Sequence, residues 1–143
     1  MGNRAALLLA CLCIASPAAD RCPWMNAATA GGLLGGEVTF QVTHPSAIAD
    51  DASCAFERKQ GDAVSTLKIE VTTMQSAKSD FRSYLAQCPS GTRLTAIGNE
   101  AVQCGATVVG RVRDRAFVVR VSNTDDAPEK ARKAAEHVAG TLF

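Results

Sequence analysis

Residues 64–74 read VSTLKIEVTTM and residues 76–88 read SAKSDFRSYLAQC, and the change of period between these stretches decides the fold class. In the first stretch Leu67, Ile69 and Val71 alternate with polar residues, which is typical of a strand with one buried face. In the second stretch apolar residues recur at the i, i+3, i+4 and i+7 spacing of an amphipathic helix. The sequence therefore predicts a one-sided sheet with helices that cover it.

The same two periods extend outward from this junction. The predicted elements, in chain order, are helix 27–34, strands 38–43, 53–59 and 64–74, helix 76–87, strands 106–112 and 115–122, and a helix that opens at a capping box on Asp126. Strands that come in runs, rather than in strict alternation with helices, indicate an antiparallel sheet. We predict an α+β fold with a sheet of about five strands and helices packed on it, in the order α-β-β-β-α-β-β-α.

The first 19 residues are typical of a secretory signal peptide. They have one positive charge, an apolar stretch, and small residues around a cleavage site near Ala18 or Ala19. Cys11 loosely matches a lipid-attachment cysteine, but the apolar stretch before it is only six residues long, which makes a lipoprotein the weaker interpretation. We expect a signal peptide over 1–19 and a single domain over 20–143, located in the periplasm or secreted.

The composition of the chain argues against two classes of function. The 143 residues include 15 Lys+Arg and 14 Asp+Glu, which gives a formal net charge of +1. A nucleic-acid-binding domain normally has a marked basic excess or stripe. A membrane-spanning helix needs about 20 apolar residues in a row, and no stretch of the sequence reaches that length. We expect no nucleic-acid partner and no transmembrane helix, and the oligomeric state stays open.

Four cysteines follow the predicted leader: Cys22, Cys54, Cys88 and Cys104. An even number in a small exported domain indicates disulfides, and four cysteines allow three connectivities. None of them has the C-x-x-C spacing of a redox centre or a zinc ribbon. Local reasoning favours Cys22 with Cys54, which ties the start of the domain to an early strand. It also favours Cys88 with Cys104, which closes a short loop rich in turn residues.

The most distinctive polar feature is a group of basic residues towards the C-terminus. Four belong to the last predicted hairpin and three to the helix after it: Arg111, Arg113, Arg115, Arg120, Lys130, Arg132 and Lys133. One interpretation is a solvated face balanced by Asp114 and Glu129. The functional interpretation is a shallow contact surface for an anionic group, from an acidic partner, a lipid headgroup or a glycan phosphate.

The sequence assigns no catalytic residues. His44 and His137 fit surface or helix-capping roles, because the first lies at a strand end and the second near a helix C-terminus. Asp50 and Asp51 are adjacent in a loop, where solvating carboxylates are more typical than a catalytic pair. Metal-binding and phosphate-binding motifs are absent from the sequence, and we expect no metal and no cofactor.

Several short motifs together resemble a known group of proteins. They are Cys22-x-x-Met25-Asn26, Leu33-Leu34-Gly35-x-x-Val38, a cysteine in the second strand, and IGNEA at 97–101 before a closing hairpin. This pattern is similar to small exported bacterial proteins and lipoproteins of unknown function, grouped as domain-of-unknown-function families. Thr29 and Asn99 depart from the pattern, in which Glu and Asp are usual. The resemblance implies a PsbP-like α+β sandwich with a binding role in the periplasm or at the cell surface, and it supplies no catalytic residues.

The primary hypothesis is a disulfide-stabilised, non-catalytic exported domain that binds a partner or ligand in the cell envelope. Such a domain should have an apolar pocket or groove between sheet and helix. The alternative is a small secreted inhibitor or assembly factor, for which residues 43–53 are the candidate exposed loop. A third hypothesis is a carboxylate-based enzyme, which would need Asp50 or Asp51 deep in a pocket with Glu70 or Glu100 nearby.

Overall fold

Three helices and seven strands make up the part of the chain that the computed structural model describes, residues 21–45, 48 and 51–143. In chain order they are α1 (Ala27–Leu34), β1 (Thr39–Thr43), β2 (Ala52–Gln60), β3 (Ala63–Thr73), α2 (Ala77–Leu85), β4 (Thr92–Leu94), β5 (Glu100–Cys104), β6 (Thr107–Val112), β7 (Arg115–Ser122) and α3 (Ala127–Leu142). The predicted leader over 1–19, with Cys11, Ala18 and Ala19, lies outside the described residues. None of the described helices combines the length and the apolar character needed to cross a membrane.

The seven strands form one sheet in the order β1-β2-β3-β7-β6-β5-β4, and every neighbouring pair is antiparallel. The strand with the clearest alternation, β3, lies next to the central strand β7 and pairs with it from Thr66↔Ser122 to Thr73↔Arg115. The α+β class and the relative order of the predicted elements are confirmed. The sheet has seven strands, however, and the predicted number of about five is wrong.

The two additional strands are β4 and β5, which fall where the sequence has no clear period. β4 has only three residues, and Ala101 is the one buried residue of β5. A short strand with one buried position produces too little alternation to be recognised. Pairing with β6 places β5 in the sheet, and β4 then pairs with β5.

Helices cover both faces of the sheet. The first face, which carries Phe117 and Val119, packs against α1 and α3, and the second face, which carries Val109 and Val118, packs against α2. The helix α2 contacts β6 and β7. Over β2 and β3 the second face carries exposed polar side chains. The fold thus has three layers over one half of the sheet and two over the other.

The helix ends follow the sequence signals at α1 but not at α3. The Asn26 side chain accepts a hydrogen bond of 2.8 Å from the Thr29 amide, and Gly35, at φ 87°, ends the helix. The capping box predicted at Asp126 is wrong, because this residue is left-handed at φ 54° and its side chain makes no capping bond. Pro128 lies in the first turn of α3, where its fixed φ suits a helix start.

Two disulfides join Cys22 to Cys54 and Cys88 to Cys104, the same pairs that the sequence favours. The first ties the segment before α1 to β2 beneath the first face, and the second ties the end of the α2 segment to β5 beneath the second face. Each hydrophobic layer therefore contains one covalent link between a helical segment and the sheet.

Candidate anion-binding groove

The basic residues of the last hairpin do not form one surface. Arg111 and Arg120 lie on the second face, where Arg111 stacks on the α2 residue Phe81 and Arg120 forms a 3.6 Å ion pair with Glu70. Arg115 lies on the first face, with its guanidinium 5.5 Å from the centre of the Trp24 ring. Arg113 is in the turn between the two strands, at φ 56°.

Two of the three basic residues of α3 pair with glutamates on the helix itself, and the third bonds to the loop before the helix. Arg132 forms ion pairs with Glu129 at 2.7 Å and Glu136 at 2.5 Å, and the Lys133 ammonium is 3.8 Å from Glu129. The Lys130 ammonium donates a 2.6 Å hydrogen bond to the Thr124 hydroxyl. Pairs at i,i+3 and i,i+4 spacing are typical of a solvated helix face. The solvated-face interpretation therefore fits Arg132 and Lys133.

We predict that Arg132→Gln raises the pKa of Glu129 towards its ordinary value of 4.5. The hydrogen bond from Arg132 is the main cause of the lowered pKa of this carboxyl, and the charges of Arg132 and Lys133 add to it. Since the folded-state pKa is lowered, the stabilisation is present above the unfolded-state pKa and is lost as the pH falls through the folded-state pKa. An NMR titration of the Glu129 carboxyl in both proteins measures the change. Lys133→Gln should move the pKa less, and an unchanged pKa in Arg132→Gln would contradict the assignment.

A groove of about 290 Å³ lies on the second face, between α2 and the strands β5 and β6. Below we call it the α2 groove. It has an apolar part and a charged part, and its lining residues are Ala77, Phe81 and Leu85, together with Lys78, Arg82, Glu100 and Arg111. Three basic side chains against one carboxylate make this lining net positive.

Arg111 is the most firmly held cation of the α2 groove. Its guanidinium is 5.9 Å from the centre of the Phe81 ring, and its Nε lies 3.4 Å from Glu100 Oε2. Its Nη1 donates a 3.3 Å hydrogen bond to the Arg113 carbonyl. The side chain is 23% exposed, so it combines fixed geometry with access to solvent. A guanidinium held in this way can present its remaining N–H groups to a carboxylate or phosphate.

Lys78 and Arg82 supply the other two cations and were missed at the level of sequence. They are four residues apart and both exposed, so they lie one above the other on α2. The sequence does contain a signal for a basic edge on α2, because this i,i+4 pair flanks the apolar stripe that contains Phe81 and Leu85. The local sequence does not show that this stripe packs beside Arg111.

Asp51, one of the two aspartates that the enzyme hypothesis names, makes a structural contact with β3. Asp51 is buried, at 2% exposure, and its Oδ1 accepts hydrogen bonds of 2.8 Å from both the amide and the hydroxyl of Thr73. Glu70 and Glu100 are on β3 and β5, which β7 and β6 separate. Three strand spacings are about 14 Å, so these two glutamates do not form a carboxylate pair with each other. Asp50 lies outside the described residues.

Two further candidates from the sequence are His44 and the loop over residues 43–53. His44 Nδ1 lies 3.2 Å from the Asp51 carbonyl oxygen, which anchors the candidate inhibitor loop at one end. Four residues of that loop, 46, 47, 49 and 50, are outside the described part of the chain. Among residues 21–45, 48 and 51–143, no group of His, Cys, Asp and Glu side chains could hold a metal ion.

Comparison with family models, with curated proteins and with solved structures finds no match to the chain. We therefore infer the function from the geometry of the α2 groove and the chemistry of its side chains.

Proposed function

We propose that this chain is an exported, non-catalytic binding domain of the cell envelope, whose α2 groove binds an anionic group of its ligand or partner. The observation that carries the proposal is the placement of Arg111 between the Phe81 ring and Glu100, beside Lys78 and Arg82. The α2 groove lies between a helix and the sheet, where the binding hypothesis expects a groove, but its lining is partly charged and not wholly apolar. A carboxylate or a phosphate has the charge and acceptor oxygens that these cations recognise.

The fixed position of Arg111 lowers the entropy cost of binding a ligand. A side chain that is already ordered loses little conformational freedom when a ligand arrives, so more of the interaction energy appears as affinity. Glu100 neutralises part of the charge of Arg111 and holds it in place, while the cations of α2 keep the groove positive. The apolar side chains Ala77 and Leu85 can pack against a hydrocarbon portion next to the anionic group. The groove therefore suits an amphipathic anion better than a bare inorganic one.

The proposal also covers the location of the protein and the group of proteins to which it belongs. Two disulfides are compatible with an oxidising compartment, in which they form and persist. With the leader expected over 1–19, we propose residence in the periplasm or secretion. We also propose that the chain belongs with the small exported proteins of PsbP-like fold that its motifs resemble.

We predict that the double variant Lys78→Gln/Arg82→Gln weakens binding to an anionic amphiphile about tenfold or more. A basic side chain next to an anionic lipid surface contributes about 1 kcal/mol, and about 1.4 kcal/mol corresponds to a factor of ten. The measurement is a titration of the protein, with its disulfides intact, against vesicles containing phosphatidylglycerol. Inorganic phosphate in a parallel titration separates a free phosphate ligand from a lipid headgroup.

The matched control is Arg132→Gln/Lys133→Gln on α3, which removes one Arg and one Lys from the opposite side of the sheet. This control should bind like the wild type. An equal loss in both variants would indicate general charge attraction and would contradict a specific site. A wild type that binds neither vesicles nor phosphate, and whose partners from an envelope extract are the same as those of the groove variant, would also refute the proposal.

A further inference from the structure

The edge strand β1 lacks the features that usually protect a sheet edge. Within the described residues it pairs with β2 on one side and with no strand on the other. Its register with β2 runs without a bulge from Thr39↔Glu57 to Thr43↔Ser53. The strand contains neither a charged residue nor a proline, which are common devices against pairing with another chain. Its outer backbone groups are therefore available for a further strand.

An exposed aromatic side chain lies on this edge, next to a cavity. Phe40 is 37% exposed, although its ring is 5.9 Å from the buried ring of Phe56. The cavity beside both rings measures about 240 Å³, and Cys22 and Met25 contribute to its largely apolar lining. The same patch of surface thus has an apolar side chain that projects from it and an apolar hollow beside that side chain.

The sequence of β1 has the symmetry that self-pairing needs. It reads TFQVT, so polar and apolar residues are arranged symmetrically about Gln41. Two copies paired antiparallel about a two-fold axis at Gln41 bring Phe40 of each copy opposite Val42 of the other. Thr39 then lies opposite Thr43, and no charge meets a like charge. Aromatic pairs with β-branched residues and pairs of threonines are favourable across antiparallel strands.

The cavity lies on the face of the sheet to which this pairing brings the second Phe40. Val42 pairs with Cys54 in the sheet, and Cys54 is bonded to Cys22, which lines the cavity. A phenyl ring placed opposite Val42 by the second copy therefore lies on the same face of the sheet as the cavity. An interface in which both copies use the same patch of surface is characteristic of two-fold symmetry.

We propose that two copies of this chain associate through β1, antiparallel about a two-fold axis at Gln41, to form one sheet that continues across the dimer. A second copy suits this edge, because in the register about Gln41 the apolar residues meet each other and the threonines meet each other. The shared strands are five residues long, so the interface is at the small end for stable complexes and the association is weak. The α2 groove lies over β5 and β6, away from this edge, and stays open in the dimer.

Analytical ultracentrifugation of the protein with intact disulfides, over the micromolar concentration range, tests the proposal. The wild type should shift from monomer to dimer as its concentration rises. Gln41→Lys places two ammonium groups opposite each other at the axis and should remain monomeric. Thr92→Lys introduces the same charge on β4, the opposite edge of the sheet, and should dimerise like the wild type.

A mixture of Gln41→Lys and Gln41→Glu proteins provides the sharpest test. Each variant alone should be monomeric, and the mixture should form a heterodimer because opposite charges then meet at the axis. A wild type that stays monomeric at the highest concentration would overturn the proposal. Dimerisation of Gln41→Lys at the wild-type level, loss of the dimer in Thr92→Lys, or a mixture that does not associate would overturn it as well.

Discussion

Loss of both disulfides is expected to lower the free energy of unfolding by about 7 kcal/mol. The bonds span sequence separations of 32 and 16 residues. In the chain-entropy treatment, loops of these lengths contribute about 3.7 and about 3.1 kcal/mol. Domains of this size have a net stability of about 5 to 15 kcal/mol, so the reduced chain is expected to be at best marginally folded.

The positions of the two bonds give a reason for the effect beyond loop length. The bond between Cys22 and Cys54 holds down the segment that carries the buried residues Trp24 and Met25. Without it, this segment has no covalent tie to the sheet, and part of the first face can become exposed to water. The bond between Cys88 and Cys104 holds the C-terminal end of α2, the helix that covers the second face.

Urea unfolding of the wild type under oxidising and reducing conditions measures the total, and the two Cys→Ala double variants measure each bond separately. Cys22→Ala/Cys54→Ala should lose more stability than Cys88→Ala/Cys104→Ala, because its loop is longer. Equal midpoints for oxidised and reduced protein would contradict the prediction. A reversed order of the two variants would show that loop length does not govern the loss.

Periodicity and turn chemistry are sufficient to predict most of the secondary structure of this chain. The β2–β3 hairpin turns at Gly61, whose φ of 62° is the left-handed conformation that a two-residue turn favours. The prediction fails where tertiary contacts replace local pattern. The strands β4 and β5 are in the sheet because β6 offers an edge to pair with, and that edge is not visible in residues 92–104 themselves.

The basic surface shows how closeness in sequence differs from closeness in space. The register pairs Val112 with Arg115 and Arg111 with Ala116, so Arg111 and Arg115 emerge on opposite faces. This separation was predictable, since Arg115 belongs to the same alternating set as Phe117 and Val119. The sequence does not predict that Lys78 and Arg82 line the same groove as Arg111, because this depends on which face of the sheet α2 covers.

The substitution Gly110→Val is expected to lower the free energy of unfolding by about 3 kcal/mol, the upper end of the usual cost of overpacking a core. Gly110 pairs with Phe117 across β6 and β7, and the Phe117 ring lies over it. A Cβ atom at position 110 would be 2.3 Å from Phe117 Cζ. This ring is fully buried in the core cluster of the first face, so it has no free space into which to move. Glycine is therefore needed at position 110 because the Phe117 ring occupies the space that a side chain would fill.

A double-mutant cycle separates this steric cause from a general intolerance of β6 to change. Phe117→Ala alone should cost about 3 to 5 kcal/mol through the cavity that it leaves. In Gly110→Val/Phe117→Ala the valine fills part of that cavity, and the total loss should fall short of the sum by about 1 to 3 kcal/mol. Gly140→Ala is the control, because nothing lies within 4 Å of its added Cβ and α3 should gain about 1 kcal/mol from alanine. Additive losses in the cycle, measured by urea unfolding, would rule out the contact between position 110 and the Phe117 ring as the reason for the glycine.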